Sequence, residues 1–235
     1  MTAALAETID DGFQRYLRHD HFLADKPALL PLSLALYRHL GEGVPASCAS
    51  LADDLGIAPA DVSALIDQLP ASTLDMDQDG NVVAFGGLSL VQANHEFQTD
   101  KLLLHTWCVF DALFLPQILS KPATLRTRCP TTGARIEVAL DLDTITAAKP
   151  SDPIMSIVAP DRDACCDNLR GAFCNHVNFF VNEDAFRVWA VDRTDITYVS
   201  LNEAHGLAMQ RNRLRYGDYL NTTPPHSTGH QLRST

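Results

Sequence analysis

The chain has 235 residues, 46% of them apolar, and a formal net charge of −11 from 29 acidic and 18 basic side chains. This length is enough for one large domain or two small ones with a hydrophobic core. The acidic balance argues against a nucleic-acid partner, and the lack of any run of 18 apolar residues argues against a membrane span. The N-terminus lacks the features of a signal peptide, so we expect a cytoplasmic protein.

The first part of the chain shows helical spacing followed by one hairpin. Apolar positions predict two helices that are broken near Pro27, and two short helices around Gly56 resemble a helix-turn-helix. An Asp-Gly-Asn sequence then marks the turn of a hairpin over residues 74–85. Helices followed by such a hairpin are typical of a winged-helix unit. Residues 1–94 are therefore predicted to form a helical, winged-helix-like part.

The second short helix, over residues 59–69, decides whether this part is expected to bind DNA. It contains no Lys or Arg and carries Asp61 and Asp67. A recognition helix needs cations for the phosphates and usually an Arg or Lys for base edges. We therefore predict no nucleic-acid partner and interpret the part as a packing or lid element.

From about residue 95 the pattern changes toward strands. Strands are predicted at 95–100, 124–129, 134–140, 154–158, 172–181 and 198–201, and helices at 182–189 and 202–216. We expect residues 95–220 to form an α+β catalytic domain in which flanking helices cover a mixed or antiparallel sheet. Residues 221–235 are polar and are expected to be a disordered tail.

An aromatic and apolar stretch from His105 to Pro116 contains one thiol and one carboxyl group. If the stretch is helical, Cys108 and Asp111 lie on the same face because they are three residues apart. An unpaired carboxylate in apolar surroundings carries a large desolvation cost. A chain that keeps both groups there is predicted to use them together.

Six cysteines occur, and none belongs to a CxxC pair: Cys48, Cys108, Cys129, Cys165, Cys166 and Cys174. In a cytosolic chain of this length, free thiols with metal-binding or catalytic roles are expected rather than disulfides. Each residue also has a plain structural interpretation. A free cysteine is often simply buried, and Asp111 alone fits the surface of a helix.

Three motifs occur in order along the chain: Trp107-Cys108-x-x-Asp111-x-Leu113-Phe114-Leu115-Pro116, Cys129-Pro130-x-Thr132-Gly133, and Phe173-Cys174-x-His176-Val177-x-Phe179-Phe180. Together they resemble the organomercurial (alkylmercury) lyases, and the resemblance covers most of residues 28–217. It implies an α+β enzyme with an N-terminal winged-helix-like part that cleaves carbon–mercury bonds by protonolysis.

By position, the resemblance implies that Cys108 and Cys174 are the two essential thiols and that Asp111 is the proton carrier, with all three around the mercury. It implies no resident cofactor. The implied partners are a small organomercurial substrate, low-molecular-weight thiols that help to release the product, and mercuric reductase, which takes up Hg(II).

These residue types suit that chemistry. Mercury is a soft ion, and thiolate is the softest ligand that a protein offers. A nearby carboxyl group, its pKa raised by burial, can accept a thiol proton and later deliver it to the leaving carbon. Aromatic neighbours such as Trp107, Phe110 and Phe173 suit the organic group and exclude water.

A second class of function uses the same cysteines. A non-enzymatic soft-metal or zinc-binding sensor would hold its ion with Cys108, Cys174 and either Cys129 or His176. Asp111 favours the enzyme, since a pure binding site needs no proton carrier. The remaining interpretations are Cys129 as structural, Cys48 as core, His176 as a packing residue, and Cys165 and Cys166 as bystanders rather than accessory mercury ligands.

Overall fold

The computed structural model describes residues 10–21, 23–24 and 26–220. The tail at 221–235 lies outside these residues, so its expected disorder stays a prediction. Among the described helices, none is both long and apolar enough to cross a bilayer.

The N-terminal part is helical, and its helices are α1 (residues 10–20, ending in the π-helical turn Tyr16–Asp20), α2 (Leu29–Gly41), α3 (Cys48–Leu55) and α4 (Pro59–Ile66). The side chain of Ser47 caps α3 by accepting the Ser50 N–H, and Gly56 ends it in the left-handed region at φ 66°. Pro59 occupies the first turn of α4. The predicted break near Pro27 and the predicted pair of short helices are confirmed.

The hairpin follows at once. Strands β1 (Leu74–Met76) and β2 (Val82–Phe85) pair antiparallel. Between them, the Asp77 carboxylate accepts the N–H of Asp79 at 2.9 Å and that of Asn81 at 2.8 Å. These bonds fold the turn locally, which is why its sequence predicts it.

The larger sheet joins this hairpin to strands from the later part of the chain. Its further strands are β3 (Leu88–Ser89), β4 (His95–Gln98), β5 (Leu103–Thr106), β6 (Ala123–Arg128), β7 (Arg135–Leu140) and β8 (Ile145–Lys149). The strand order is β1-β2-β3-β5-β4-β6-β7-β8, with every neighbouring pair antiparallel. One sheet therefore contains strands from both sides of residue 94. The predicted division of the chain into two units at that residue stays a prediction.

Three of these strands have no counterpart among the predicted ones. β3 is only two residues long, and β8 lies at the sheet edge with Thr146, Ala147 and Lys149 exposed. β5 overlaps the start of the aromatic stretch around Cys108, which the sequence pattern does not divide. Short or edge strands lack the alternating burial that a sequence pattern reports.

A smaller antiparallel sheet, in the order β10-β9-β11, completes the α+β fold predicted from the sequence. Its strands are β9 (Ile154–Val158), β10 (Phe179–Phe180) and β11 (Ile196–Ser200), and the helices of this part are α5 (Val109–Leu119), α6 (Arg162–Ala172), α7 (Glu183–Trp189) and α8 (Leu201–Leu220). As predicted, Asn182 caps α7 by accepting the Ala185 N–H at 2.9 Å.

The strand predicted at 172–181 is wrong for most of its length. Asp161 caps α6, which runs to Ala172, and the 3₁₀ turn Cys174–His176 follows before the two-residue strand β10. Of the aromatic residues that suggested a strand, Phe179 and Phe180 do form β10, whereas Phe173 packs against a helix: its ring lies 6.0 Å from that of Phe13 in α1. Residues with a high β-propensity are mainly residues that pack well on a half-buried surface. A junction between a helix and a turn offers such a surface too, so the pattern does not identify a strand.

Helix α5 is buried along its first eight residues and packs against α8. Asn212 of α8 fixes the pair, because its amide donates to the Phe114 carbonyl at 2.8 Å and to Gln117 Oε1 at 2.9 Å. A buried amide satisfied at both bonds sets the register between two helices. This register positions the N-terminal end of α5.

Candidate active site

Cys108 and Asp111 lie at the N-terminus of α5. β5 ends at Thr106 and α5 begins at Val109, so Cys108 is the N-cap and Asp111 lies in the first turn. The Cys108 N–H donates to Asp111 Oδ2 at 2.9 Å, and the Asp111 N–H donates back to the Cys108 sulfur. This reciprocal capping box holds the thiol and the carboxyl group side by side.

Cys174 comes to the same point from the turn that follows α6. Its sulfur, the Cys108 sulfur and a carboxyl oxygen of Asp111 all lie within 4.8 Å of one another. The exposed fractions are 3% for Cys174, 0% for Cys108 and 7% for Asp111. The three residues named from the sequence thus form one buried cluster.

Burial controls the protonation of this cluster. It raises the pKa of Asp111 to about 6, against the opposing effects of the Cys108 hydrogen bonds and of Arg211 and Arg215. Burial and a hydrogen bond to Cys174 also raise the pKa of the Cys108 thiol. That same hydrogen bond lowers the pKa of Cys174, but burial and the Asp111 carboxylate outweigh it and the net direction is upward.

The raised pKa of Asp111 predicts a pH-dependent stability. The folded state favours the protonated carboxyl group, so the stability that protonation provides is present below pH 3.8 and is lost as the pH rises through about 6. Asp111→Asn stays neutral, and its stability relative to wild type should rise by about 3 kcal/mol over that range. Urea unfolding at several pH values measures this difference. Asp61→Asn, which changes an exposed carboxylate at the same position of helix α4, is the control and should not reproduce this difference.

The Asp111 carboxyl group occupies the space beside Gly87 that a side chain at that position would fill. Gly87 has a φ of +104°, and a Cβ built on it would overlap the Asp111 carboxyl group, while its carbonyl accepts the Trp107 N–H at 2.9 Å. Gly87→Ala should lower the stability measured by urea unfolding by about 2–5 kcal/mol, because it strains the backbone and displaces the carboxyl group. Gly133→Ala is the matched control, since Gly133 also has a positive φ (+69°) but no atom lies within 4 Å of the place that a methyl group would take there. Equal losses of stability in the two variants would contradict the assigned contact.

Aromatic rings surround the cluster. The Phe110 ring packs edge-on against Phe13 at 5.5 Å and against Phe173 at 6.3 Å, and Trp107 carries the Arg170 guanidinium on its face at 4.1 Å. Arg170 also pairs with Asp75 of the hairpin. This enclosure keeps water from the thiols and strengthens every electrostatic interaction among them.

Arg211 and Arg215 of α8 are site neighbours that sequence reasoning missed. Both are buried, with 4% and 7% exposure, and both act on the pKa of Asp111. In the sequence they are two arginines four residues apart in a polar helix, a pattern typical of a solvated face. No local signal distinguishes them from the exposed Arg213 between them.

The other candidate ligands lie outside the cluster. In the described chain, the one group of three or more Cys, His, Asp or Glu side chains that can share a metal ion is Cys108, Asp111 and Cys174. Cys129 is buried in the turn before β7, where Thr132 bonds its sulfur, and His176 Nδ1 lies 3.1 Å from Arg193. The alternative metal site that includes Cys129 or His176 is therefore not formed.

The three further cysteines differ in burial. Cys165 is buried in α6, Cys166 beside it is half-buried, and Cys48 is half-buried at the start of α3 against the core. The carbonyls of Cys165 and Cys166 both accept the Ser72 hydroxyl, at 3.0 and 2.8 Å. These bonds attach α6 to the turn before β1.

The α+β fold thus buries two thiols beside a carboxyl group with a raised pKa. A family model described as alkylmercury lyase matches residues 88–212, which include all three cluster residues. The alkylmercury lyase of Pseudomonas putida is 31% identical over 176 residues, which are 75% of this chain and 80% of that protein. The chain belongs to the alkylmercury lyase family, and it is an enzyme of that family.

Other comparisons agree with this assignment. The alkylmercury lyases of Staphylococcus epidermidis and Streptomyces lividans are each 30% identical over 172 residues, which are 73% of this chain and 77% of each relative. The crystal structure of the mercury-bound form of MerB2 superposes with a TM-score of 0.71 at 18% identity, covering 88% of this chain and 98% of that one. This superposition supports the fold.

Proposed function

We propose that this enzyme cleaves an organomercurial, R–Hg–X, into the hydrocarbon RH and Hg(II), with Cys108 and Cys174 as the sulfur ligands of mercury and Asp111 as the proton shuttle. One observation carries the proposal: two sulfurs and a carboxyl oxygen lie within 4.8 Å of one another in a buried site. Two thiolates alone suit many soft metals, whereas the carboxyl group adds the means to protonate carbon.

The separation of the sulfurs suits a metal that bridges them. A linear S–metal–S bridge spans about twice a thiolate–metal bond of roughly 2.3 Å, or about 4.6 Å. The two sulfurs lie no more than 4.8 Å apart, so a single metal atom can reach both. Both thiols can then donate electron density to one mercury atom, which weakens its bond to carbon.

The proton follows the hydrogen bonds of the site. One thiol loses its proton as its sulfur displaces X from mercury, and HX leaves. The proton of the other thiol passes to the Asp111 carboxylate, which lies beside Cys108, and then to carbon as the carbon–mercury bond breaks. Two thiols and R–Hg–X thus give RH, HX and Hg(II) held by two thiolates, and the atoms balance.

Product release is expected to use thiols from solution. Low-molecular-weight thiols exchange with the two cysteine thiolates on Hg(II) and restore both thiols, and mercuric reductase is a fitting acceptor for the released ion. The proposed reaction needs no resident cofactor, because mercury arrives with the substrate and leaves as the product.

Phenylmercury with excess thiol in D₂O tests the proposal. We expect benzene that carries one deuterium, detected by gas chromatography with mass spectrometry, and Hg(II) in equal amount. A reaction without enzyme gives the background. Tight binding of Hg(II) without benzene would favour the sensor function, and phenol in place of benzene would exclude protonolysis.

A further inference from the structure

A small cavity borders Asp111, and neither Cys108 nor Cys174 lines it. Its volume is about 40 Å³, and α1, α5, α6 and α8 contribute its walls. Most of the lining is aromatic or aliphatic, but three residues with charged side chains also line it: Asp111, Arg211 and Arg215. A cavity of this size has room for about one particle as large as a water molecule.

The two guanidinium groups differ in how far the protein satisfies them. Arg211 stacks on the Phe114 ring at 3.5 Å and donates to Asn212 Oδ1 at 2.9 Å and to the Tyr37 hydroxyl at 3.4 Å. Arg215 is only 7% exposed, and its Nε has no hydrogen-bond partner among the described residues. A buried hydrogen-bond donor without an acceptor lowers the stability of the folded protein. A bound ligand that accepts from the Arg215 Nε–H would relieve this cost.

The charges around the cavity do not cancel. Burial lowers the pKa of Arg215 to about 10, which still leaves it a cation at neutral pH, and Arg211 adds a second positive charge. Asp111 is the one carboxylate in the described lining, and the Tyr16 hydroxyl, whose pKa burial raises to about 12, stays neutral. Even with Asp111 ionised, one positive charge is unmatched, and an unmatched buried charge is strongly unfavourable.

We propose that this cavity is a binding site for one small monovalent anion, such as a halide, held by the guanidinium groups of Arg215 and Arg211. An anion supplies the missing charge and the missing acceptor together, whereas water supplies only the acceptor. The volume of about 40 Å³ favours a small anion over a larger one such as sulfate. The site shares Asp111 with the proposed lyase reaction, but neither Cys108 nor Cys174 lines it, so a Cys108 variant can test the two proposals separately.

Bromide in crystals of the full chain tests this proposal directly. Bromide scatters anomalously, and we expect an anomalous peak in the cavity within hydrogen-bond distance of Arg215 Nε. Arg215→Met should remove the peak, and Arg213→Met, which changes an exposed arginine of the same helix, should keep it. A wild-type crystal in bromide without a peak there would overturn the proposal, whatever the variants do.

Thermal unfolding gives a second readout in solution. An anion that binds only the folded protein raises Tm with its concentration. At equal ionic strength, sodium bromide should raise Tm above that in sodium gluconate by about 3 °C or more in wild type and Arg213→Met, but not in Arg215→Met. An equal rise in all three proteins would reflect a general salt effect and count against the site.

The Cys108→Ser protein separates this proposal from the lyase mechanism. It should lack lyase activity and still show the bromide peak and the bromide effect on Tm. A wild-type enzyme that is active but shows no bromide peak would contradict the proposed anion site and leave the proposed reaction unaffected. A wild-type protein that shows the bromide peak but releases no hydrocarbon would contradict the proposed reaction and leave the anion site unaffected.

Discussion

Replacing either Cys108 or Cys174 with serine is expected to lower kcat/KM for hydrocarbon release by at least about 1,000-fold. A serine hydroxyl keeps nearly the size of the thiol, but its oxygen is a hard and weakly acidic ligand for a soft metal. The two sulfurs act on one mercury atom, so the loss of one removes the bridge that the other would complete. Gas chromatography of the released hydrocarbon, with phenylmercury as substrate, measures the effect.

The double variant makes this prediction sharper. Because the sulfurs act as a unit, Cys108→Ser with Cys174→Ser should lose little more activity than either single variant. Cys48→Ser is the control, since Cys48 is half-buried in the N-terminal part and should keep wild-type activity. If Cys174→Ser retained a tenth of the activity, Cys174 would not be a ligand in the reaction.

The parts of the fold that the sequence predicts are those built by local contacts. Gly56 ends α3, Pro59 starts α4, and Asp77 folds the hairpin turn, each through bonds to residues within a few positions. The capping box between Cys108 and Asp111 is equally local, so their proximity follows from three-residue spacing. Such local features can be recognised from a few neighbouring residues, without knowledge of how the rest of the chain folds.

The parts that the sequence does not predict depend on distant contacts. The sequence pattern predicts Cys174 in a strand, yet it lies in a 3₁₀ turn whose position is set by α6 and by aromatic packing against α1. Its approach to Cys108 follows only from the order of motifs shared with the lyases. Arg211 and Arg215 are buried because α8 packs on α5, and a helical pattern with two arginines carries no sign of that.

Asp111→Asn is expected to lower kcat by about 10²- to 10⁴-fold, the range typical of a lost general acid–base. The amide oxygen can still accept the Cys108 N–H, so the N-terminus of α5 keeps its cap, but the side chain can no longer carry a proton. Because both sulfurs remain, Hg(II) binding should keep its wild-type stoichiometry. A loss of Hg(II) binding equal to the loss of activity would make Asp111 a structural residue instead.

The pH profile gives this variant a signature that a structural role would not produce. The shuttle must be ionised to accept the Cys108 proton, so kcat/KM of the wild type should rise with pH through about 6, the raised pKa of Asp111. The remaining activity of Asp111→Asn should lack this acid limb. Asp61→Asn, which alters the exposed carboxylate at the same position of α4, should keep both the rate and the limb. If the activity of Asp111→Asn still rose with pH near 6, the acid limb would belong to another ionisable group. Asp111 would then not be the group that delivers the proton to carbon.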